Sequence, residues 1–204
     1  MLAKTNSKYL VGIDEAGRGP LAGPVAVGAV AVPRQHLAWF RREFKLVKDC
    51  KQLSPRQREA WFLKIKQAEQ SGRLKFAVSW SGNQIIDDRG IVPAIKLALT
   101  RALKRLELPA INCRVLLDGN LRAPSQYACQ QTIIRGDESE PIIAVASIVA
   151  KVRRDHYMIK LARKYPGYQF EVHKGYGTKA HYQTIKRWGF SLIHRRSFLT
   201  RFKS

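Results

Sequence analysis

The chain has 204 residues, of which 37 are Lys or Arg and 15 are Asp or Glu, so its formal net charge is +22. Hydrophobic residues make up 45% and charged residues 25%, the mixture typical of a globular protein. This charge argues against an ordinary small-molecule enzyme and favours a polyanionic partner, either nucleic acid or an anionic membrane. Because no apolar stretch approaches the ~20 residues of a membrane-spanning helix, nucleic acid is the predicted partner and a membrane is not expected.

The compartment and the domain count follow from the termini, the cysteines and the length. The apolar run 9–13 ends at Asp14, so the N-terminus lacks the core of a signal peptide. Three widely spaced cysteines without a CxxC pair indicate reduced thiols rather than a disulfide framework or a zinc site. These features predict a cytoplasmic, monomeric protein. The length predicts one domain over residues 1–204, with a basic helical appendage at about 165–204.

The hydrophobic pattern predicts five short strands, at residues 9–13, 24–32, 75–80, 114–117 and 132–134. It predicts four main helices, at residues 55–70, 91–106, 141–164 and 179–188. Ser54 before Pro55 is a typical helix start, and Ser139 is expected to cap the helix at 141. The mixing of strands and helices predicts an α/β fold with a mixed sheet and a helical C-terminal portion.

Positive charge is concentrated at the C-terminal end. Residues 151–204 contain 14 Lys and Arg but only two acids, Asp155 and Glu171. A solvated helical surface is the alternative, but such surfaces usually mix both signs. This segment is therefore predicted to bind phosphates.

The scarce acids follow two of the predicted strands. Asp14 and Glu15 come directly after the apolar run 10–13, and Asp118 follows the run 115–117. In α/β folds, reactive groups collect just beyond strand ends, where a rigid sheet aims them into a crevice. We therefore expect these carboxylates to lie side by side.

A further acid lies on the long predicted helix. Ile148, Val152, Asp155 and Ile159 share one face, because they are spaced by four, three and four residues. The rest of that face is apolar, so Asp155 is expected to point inward, where an unpaired charge would be costly.

A cluster of four such carboxylates would need cations, and two divalent ions would balance its charge. Oxygen ligands suit Mg²⁺ or Mn²⁺ rather than zinc, and a pair of such ions is a known clamp for phosphoryl transfer. An acidic metal site on a basic protein indicates a nuclease. Three alternatives remain open: Asp14 and Glu15 could cap a turn, Asp118 could belong to an ordinary turn, and Asp155 could pair with a neighbouring Lys or Arg.

Six segments carry a recognisable pattern and follow one another in order along the chain. They are GIDEAGRGPLAGPV at 12–25, KDCKQLS at 48–54, LDGN at 117–120, ASIVAKVRRD at 146–155, HKGYGT at 173–178 and HRRSF at 194–198. Together they resemble the ribonuclease HII family over roughly residues 9–198.

The resemblance implies a ribonuclease H-like fold and endonucleolytic cutting of RNA in RNA–DNA hybrids. It also implies incision on the 5′ side of single ribonucleotides in duplex DNA, leaving a 3′-hydroxyl and a 5′-phosphate. The expected cofactor is Mn²⁺ or Mg²⁺, with two ions bound together with substrate. The metal-binding acids of the family fall on Asp14, Glu15, Asp118 and Asp155.

The substrate-reading residues of the family fall on a glycine-rich loop and on a tyrosine. The loop is Gly17, Arg18 and Gly19, whose backbone would detect a 2′-hydroxyl while Arg18 contacts a phosphate or groove. Tyr176 would stack on the sugar of the next deoxynucleotide. The remaining candidate phosphate contacts are Lys51, Ser54, Lys174 and Thr178.

Two residues depart from the family pattern, and two further features compete with it or add to it. Cys50 stands where Ser is usual, and Gly90 where Asn is frequent. Asp137 also follows an apolar run and is a rival metal ligand, ranked below Asp155. The segment from Phe198 to Phe202 is faintly similar to a sliding-clamp binding peptide.

Three other functions would fit parts of the pattern. The related ribonuclease HIII family carries a sizeable N-terminal extension, whereas only 13 residues precede Asp14, so HII is the expected family. A nucleic-acid-binding protein without activity would bind in a salt-dependent way and would not cut. A junction resolvase of the same fold would ignore the 2′-hydroxyl.

Overall fold

The computed structural model describes residues 7–47 and 53–200. Its five strands are β1 (Tyr9–Ala16), β2 (Val25–Pro33), β3 (Lys75–Ser81), β4 (Cys113–Asp118) and β5 (Gln130–Ile133). They form one sheet in the order β3-β2-β1-β4-β5. Strand β2 runs antiparallel to both β1 and β3, whereas β4 is parallel to both β1 and β5. The predicted mixed sheet is therefore confirmed.

Helices flank this sheet and also build the C-terminal portion. In the described ranges they are α1 (Leu37–Glu43), α2 (Pro55–Gln70), α3 (Asn83–Arg89), α4 (Ile91–Arg105), α5 (Gly136–Ser139), α6 (Pro141–Ala162), α7 (Phe170–His173) and α8 (Lys179–Trp188). The four predicted helices correspond to α2, α4, α6 and α8. None of the helices in these ranges combines the length and hydrophobicity that a transmembrane segment requires.

The sheet is buried on both faces. Alternate residues of β2, such as Val27 and Ala29, pack with α4, while Val30 and Val32 pack with α1, α2 and α6. A strand covered on both sides needs apolar residues throughout, which explains the continuous run in β2.

Helix α6 lies very close to the central strands. A Cβ atom on Gly12 of β1 would lie 2.3 Å from the Ile142 carbonyl oxygen, and one on Gly28 of β2 would lie 2.5 Å from the Ala146 carbonyl oxygen. Only glycine permits such an approach of helix to strand. This contact brings Ser147 of α6 beside the end of β1.

Two details of the predicted elements were wrong. Ser139 does not cap α6, because it ends the short helix α5 and donates from its hydroxyl to the Arg135 carbonyl; Glu140 occupies the cap position without a capping side-chain hydrogen bond. In addition, Asp14 and Glu15 lie within β1 rather than beyond it, because pairing with β2 continues to Ala16.

The loop 17–24 joins the sheet to the C-terminal portion. Leu21 donates its N–H to the Gly175 carbonyl (2.8 Å), and Gly23 donates to the Ile193 carbonyl (2.9 Å). The Arg195 N–H in turn donates to the Leu21 carbonyl (2.8 Å). These bonds hold the loop between the end of β1 and the segments around residues 175 and 194.

Candidate active site

Three of the predicted acids line one pocket at the end of the two central parallel strands. Ile13 of β1 is paired with Leu117 of β4, so the next residues, Asp14 and Asp118, lie side by side. The pocket encloses about 260 Å³. It is lined by Asp14, Glu15, Ala16, Gly17, Arg18, Gly19, Asp118, Ser147, Lys151 and Tyr176.

Asp14 is the most strongly perturbed of these acids. Burial raises the pKa of its carboxyl group well above the usual value, and the nearby charges of Glu15 and Asp118 raise it further. Hydrogen bonds from the Ser147 side chain and from the Glu15 N–H, which lies 2.7 Å from Asp14 Oδ1, oppose that shift. The pocket therefore concentrates negative charge that a bound cation would stabilise.

Glu15 and Asp118 complete this acidic group. Burial raises the pKa of Glu15, the Arg18 guanidinium lowers it, and Asp118 raises it again. Arg18 Nη1 lies 3.4 Å from Glu15 Oε1, and the Arg18 side chain is 59% exposed. Asp118 accepts the Gly136 N–H at 2.7 Å, which leaves its second carboxylate oxygen for another ligand.

Asp155 lies in an adjoining pocket of about 310 Å³. Its Oδ1 is 2.9 Å from Lys151 Nζ, so it forms the ion pair with a neighbouring Lys that the sequence left open. The helix face that carries it is buried at Ile148 and Val152 but reaches the surface at Ile159, so Asp155 is only partly inward. Lys151 and Tyr176 line both pockets and lie between the three acids and Asp155.

The chemistry of the pocket fits a hard divalent cation, although the described residues hold no preformed cage. Three carboxylates supply oxygen ligands only, the type that Mg²⁺ and Mn²⁺ prefer. Within residues 7–47 and 53–200, no group of three or more His, Cys, Asp or Glu side chains is arranged to hold a metal ion. Asp137, the rival ligand, is buried in α5 and is not among the residues of these ranges that line the acidic pocket.

The glycine loop has two glycines with different constraints. Gly17 has φ +89°, and a Cβ atom there would lie 2.0 Å from Arg154 Nε. Gly19 has neither constraint, since a Cβ atom there would meet open space among the described residues. A side chain at Gly19 would therefore extend into open space beside the pocket.

Tyr176 lies at the border of the two pockets and is 40% exposed. Lys151 Nζ is 5.4 Å and Arg154 Cζ 5.8 Å from the centre of its ring. A Cβ atom on the preceding Gly175, whose φ is +86°, would lie 2.4 Å from the Ala22 carbonyl oxygen. The tyrosine loop is therefore packed directly on the loop 17–24.

The other predicted phosphate contacts are scattered. Lys174 lines the Asp155 pocket, where burial lowers the pKa of its ammonium group and Asp155 opposes that shift. The hydroxyl groups of Ser54 and Thr178 cap helices, accepting the N–H groups of Gln57 and His181 at 3.2 Å in each case. Lys51 and Cys50 lie outside the described residues, and Gly90, with φ +83°, joins α3 to α4.

Sequence reasoning missed four residues at the site: Ser147, Lys151, Arg154 and Arg195. The spacing of Lys151 and Asp155, four residues apart on one helix, was an available signal for an ion pair. Arg154 and Arg195 belong to the recognised segments 146–155 and 194–198, but nothing in those segments shows that their side chains are buried. The Arg195 side chain reaches backbone groups 172 to 178 residues earlier in the chain.

Comparisons with known proteins agree with this geometry. The family model described as Ribonuclease HII matches residues 11–201. The chain is 43% identical to the ribonuclease HII of Endomicrobium trichonymphae over 190 residues, 93% of this chain and 84% of the relative. It is 41% identical to that of Caldicellulosiruptor bescii over 193 residues, 94% of this chain and 87% of the relative.

Solved structures show the same fold. The ribonuclease HII in the PCNA complex from Archaeoglobus fulgidus superimposes with a TM-score of 0.74 at 24% identity, over 96% of this chain and 95% of that one. The ribonuclease H2 of Pyrococcus horikoshii OT3 superimposes with a TM-score of 0.69 at 26% identity, over 95% of this chain and 98% of that one. A ribonuclease HIII solved in complex with Mn²⁺ superimposes with a TM-score of 0.62 at 21% identity, over 96% of this chain and 66% of that one. The chain therefore belongs to the ribonuclease HII family, whose members are metal-dependent endonucleases (EC 3.1.26.4).

Proposed function

We propose that this protein hydrolyses the RNA strand of RNA–DNA hybrids and incises duplex DNA on the 5′ side of a single embedded ribonucleotide. The products are a 3′-hydroxyl and a 5′-phosphate. The observation that supports this most directly is the composition of one pocket, where Asp14, Glu15 and Asp118 lie beside the loop 17–19 and Tyr176. The same cavity thus offers groups for cutting a phosphodiester and groups for reading the sugar next to it.

The acids are proposed to hold Mn²⁺ or Mg²⁺, two ions once substrate is bound. Asp14, Glu15 and Asp118 would be joined by Asp155, which first has to leave Lys151. Bound divalent ions supply an acidified water and stabilise the charge on the leaving oxygen. The chain itself keeps Asp14, Glu15 and Asp118 together on two rigid strands and limits the exposure of Asp14 to water to 5%.

Recognition of the ribonucleotide is assigned to the loop and the ring. A 2′-hydroxyl both donates and accepts hydrogen bonds, so backbone groups at Gly17, Arg18 and Gly19 can detect it if the sugar comes close. The open space at Gly19 permits that approach. The ring of Tyr176, which is 40% exposed, would stack on the following deoxyribose, where a 2′-hydroxyl would clash with it.

Phosphates on either side are assigned to basic residues around the pocket. Arg18 and Lys174 present charge directly, whereas Ser54 and Thr178 would contribute mainly through the helix N-termini that they cap. Lys51 completes this set as a proposal from sequence alone.

The same proposal covers the state of the protein in the cell. We infer a single ribonuclease H-like domain with a basic helical appendage, acting as a monomer in the cytoplasm. Clamp binding through residues 198–202 is left out of the proposal, because Phe198 is partly buried against two core clusters and its ring lies 5.2 Å from Arg195 Cζ.

The test uses three labelled duplexes: an RNA–DNA hybrid, a DNA duplex with one ribonucleotide, and an all-DNA control. Each is incubated with Mg²⁺, with Mn²⁺ and with EDTA, and the ends of the products are mapped. We expect metal-dependent cutting of the first two, with the second cut on the 5′ side of the ribonucleotide. Equal cutting of the all-DNA duplex would refute the substrate assignment, and cutting in EDTA would refute the metal assignment.

A further inference from the structure

Two arginine side chains are completely buried beside the candidate active site. Arg154 and Arg195 are both 0% exposed. In the described parts of the chain neither guanidinium forms an ion pair, and their six hydrogen bonds all go to backbone carbonyl oxygens. A buried cation without a carboxylate partner is costly, so its retention calls for a specific use.

Arg195 holds the glycine loop. Its Nη2 donates to the Gly17 carbonyl at 2.7 Å, its Nη1 to the Arg18 carbonyl at 2.9 Å, and its Nε to the Gly23 carbonyl at 2.9 Å. The three nitrogen atoms of a planar guanidinium thus fix three peptide groups at once, which a lysine ammonium on its flexible stem would not do.

Arg154 joins the same loop to the tyrosine loop. Its Nε donates to the Pro24 carbonyl at 2.9 Å and its Nη2 to the Ala22 carbonyl at 3.3 Å. Its Nη1 donates to the Lys174 carbonyl at 3.1 Å, two residues before Tyr176. The side chain passes directly under Gly17, which explains why a Cβ atom is not tolerated there.

The direction of the loop amides follows from these bonds. In a trans peptide the carbonyl of one residue and the N–H of the next point to opposite sides, and the described chain contains no cis peptide bond. Because Arg195 binds the Gly17 and Arg18 carbonyls on the buried side, the N–H groups of Arg18 and Gly19 face the opposite side. Residues 17–19 also line the acidic pocket.

We propose that Arg195 and Arg154 are positioning residues that fix the sugar-reading backbone and the Tyr176 loop as one rigid unit. The inference rests on the proposed function. Substrate affinity comes mainly from the basic surface, so loss of this support should lower the rate of cutting at a ribonucleotide and leave duplex affinity nearly unchanged.

The test replaces each buried arginine with lysine and compares it with an exposed neighbour. Arg195→Lys is matched by Arg196→Lys, and Arg154→Lys by Arg153→Lys, so that charge is the same in all four variants. Cutting of the single-ribonucleotide duplex is measured under saturating and limiting substrate, well below the measured melting temperature of each variant. The two buried arginines bind different carbonyl groups and are replaced one at a time, so one interpretable result remains if the other variant does not fold.

For Arg195→Lys and Arg154→Lys we expect kcat to fall by a factor of about 100, because a small displacement of the loop would misplace the substrate relative to the acids. KM should be nearly unchanged. The exposed controls should stay within about twofold of the wild type. A folded buried variant that keeps the wild-type kcat would overturn the inference while the proposed function stands. A wild-type enzyme that cuts ribonucleotide and all-DNA duplexes alike would overturn the proposed function and the inference together.

Discussion

Asp14 is the residue at which the demands of folding and of function conflict most. It is buried, and Glu15 and Asp118 add like charge, so its ionised form is disfavoured in the absence of a cation. Such a group lowers stability, a cost that the proposed metal site would explain. The hydrogen bond that its Oδ1 accepts from the Glu15 N–H could be kept by an asparagine.

Asp14→Asn is therefore expected to abolish cutting while raising the melting temperature. Removal of the buried charge relieves repulsion of roughly 1 kcal/mol, which corresponds to about 2–4 °C for a chain of this size. Cleavage assays and thermal melts without metal would measure both effects, with the exposed Asp88→Asn as the control. A variant that cuts at the wild-type rate would remove Asp14 from the proposed metal site.

Gly17 and Gly19 should respond differently to substitution, although they belong to the same short motif. Gly17→Ala would place a side chain at φ +89° and against Arg154, so we expect a loss of stability of about 2 kcal/mol or more. Gly19→Val should fold normally, because there is space for the side chain, but should block the sugar and stop cutting at ribonucleotides. Melts, cleavage and duplex binding measured in parallel distinguish the two. Equal losses of binding and cutting in Gly19→Val would mean that the loop is only structural.

At the scale of elements, the sequence predicted those helices that have a long hydrophobic pattern or a capping motif. Helix α2 has a complete capping box, in which Ser54 and Gln57 bond reciprocally, and its predicted bounds are confirmed. Helices α1, α3, α5 and α7 span only four to seven residues and give too short a pattern to detect. The spacing of Lys151 and Asp155, four residues apart on α6, is a local signal for their ion pair. The bonds of Arg195 to residues 17–23 depend on tertiary packing, so no window of sequence reveals them.

Three buried histidines connect α7, α8 and the segment before Arg195. His181 Nδ1 lies 2.9 Å from the Tyr176 carbonyl, so its Nε2 accepts from His194 Nε2 at 3.1 Å. His194 Nδ1 then accepts the Ser191 N–H at 2.9 Å, and His173 Nδ1 accepts the Gly175 N–H at 3.1 Å. Each ring is therefore neutral in this arrangement, and a proton on any of them would face another donor.

This network predicts that the C-terminal portion loses stability in acid. Burial lowers the pKa values of His181 and His194 to about 4, below the usual 6.5. Since the unfolded chain binds these protons more readily, the stabilisation is complete above pH 6.5 and is lost as the pH falls towards 4. Between about pH 7 and pH 5 each histidine should account for on the order of 2 kcal/mol.

Thermal melts at the two pH values measure this effect. The acids of the pocket have raised pKa values and act in the opposite direction, so the comparison must be made between variants rather than within one protein. His194→Gln should flatten the pH dependence, whereas His36→Gln, whose ring lies 3.4 Å from the neutral Gln35 amide, should leave it unchanged. An unaltered pH dependence in His194→Gln would show that the buried network does not control stability in acid.

At the scale of the whole molecule, the charge of +22 surrounds a small acidic pocket. The surface attracts a nucleic acid backbone, and the pocket requires cations before it can accept a phosphate. Affinity and cutting should therefore depend on different residues and respond differently to salt.

Neutralising Lys179 and Lys186 on α8 should weaken duplex binding and reduce its dependence on salt. Each phosphate contact contributes about −0.9 to the slope of log K against log salt. The double Lys→Gln variant should therefore have a shallower slope, smaller in magnitude by about 1–2. Replacing the exposed Lys96 and Lys104 of α4 in the same way provides the control. Equal effects of the two pairs would indicate general charge attraction rather than a binding surface on the C-terminal portion.

The central claim is that one pocket both reads a 2′-hydroxyl and cuts the phosphodiester beside it. The most direct measurement compares duplexes that differ at one sugar only: ribose, deoxyribose, 2′-fluoro and 2′-O-methyl, each under single-turnover conditions with Mn²⁺. We predict rapid cutting on the 5′ side of the ribose and rates lower by a factor of about 100 or more for the other three, because none of them can donate from the 2′ position. Similar rates for ribose and 2′-O-methyl would contradict the account, since the loop would then not be sensing the hydroxyl group.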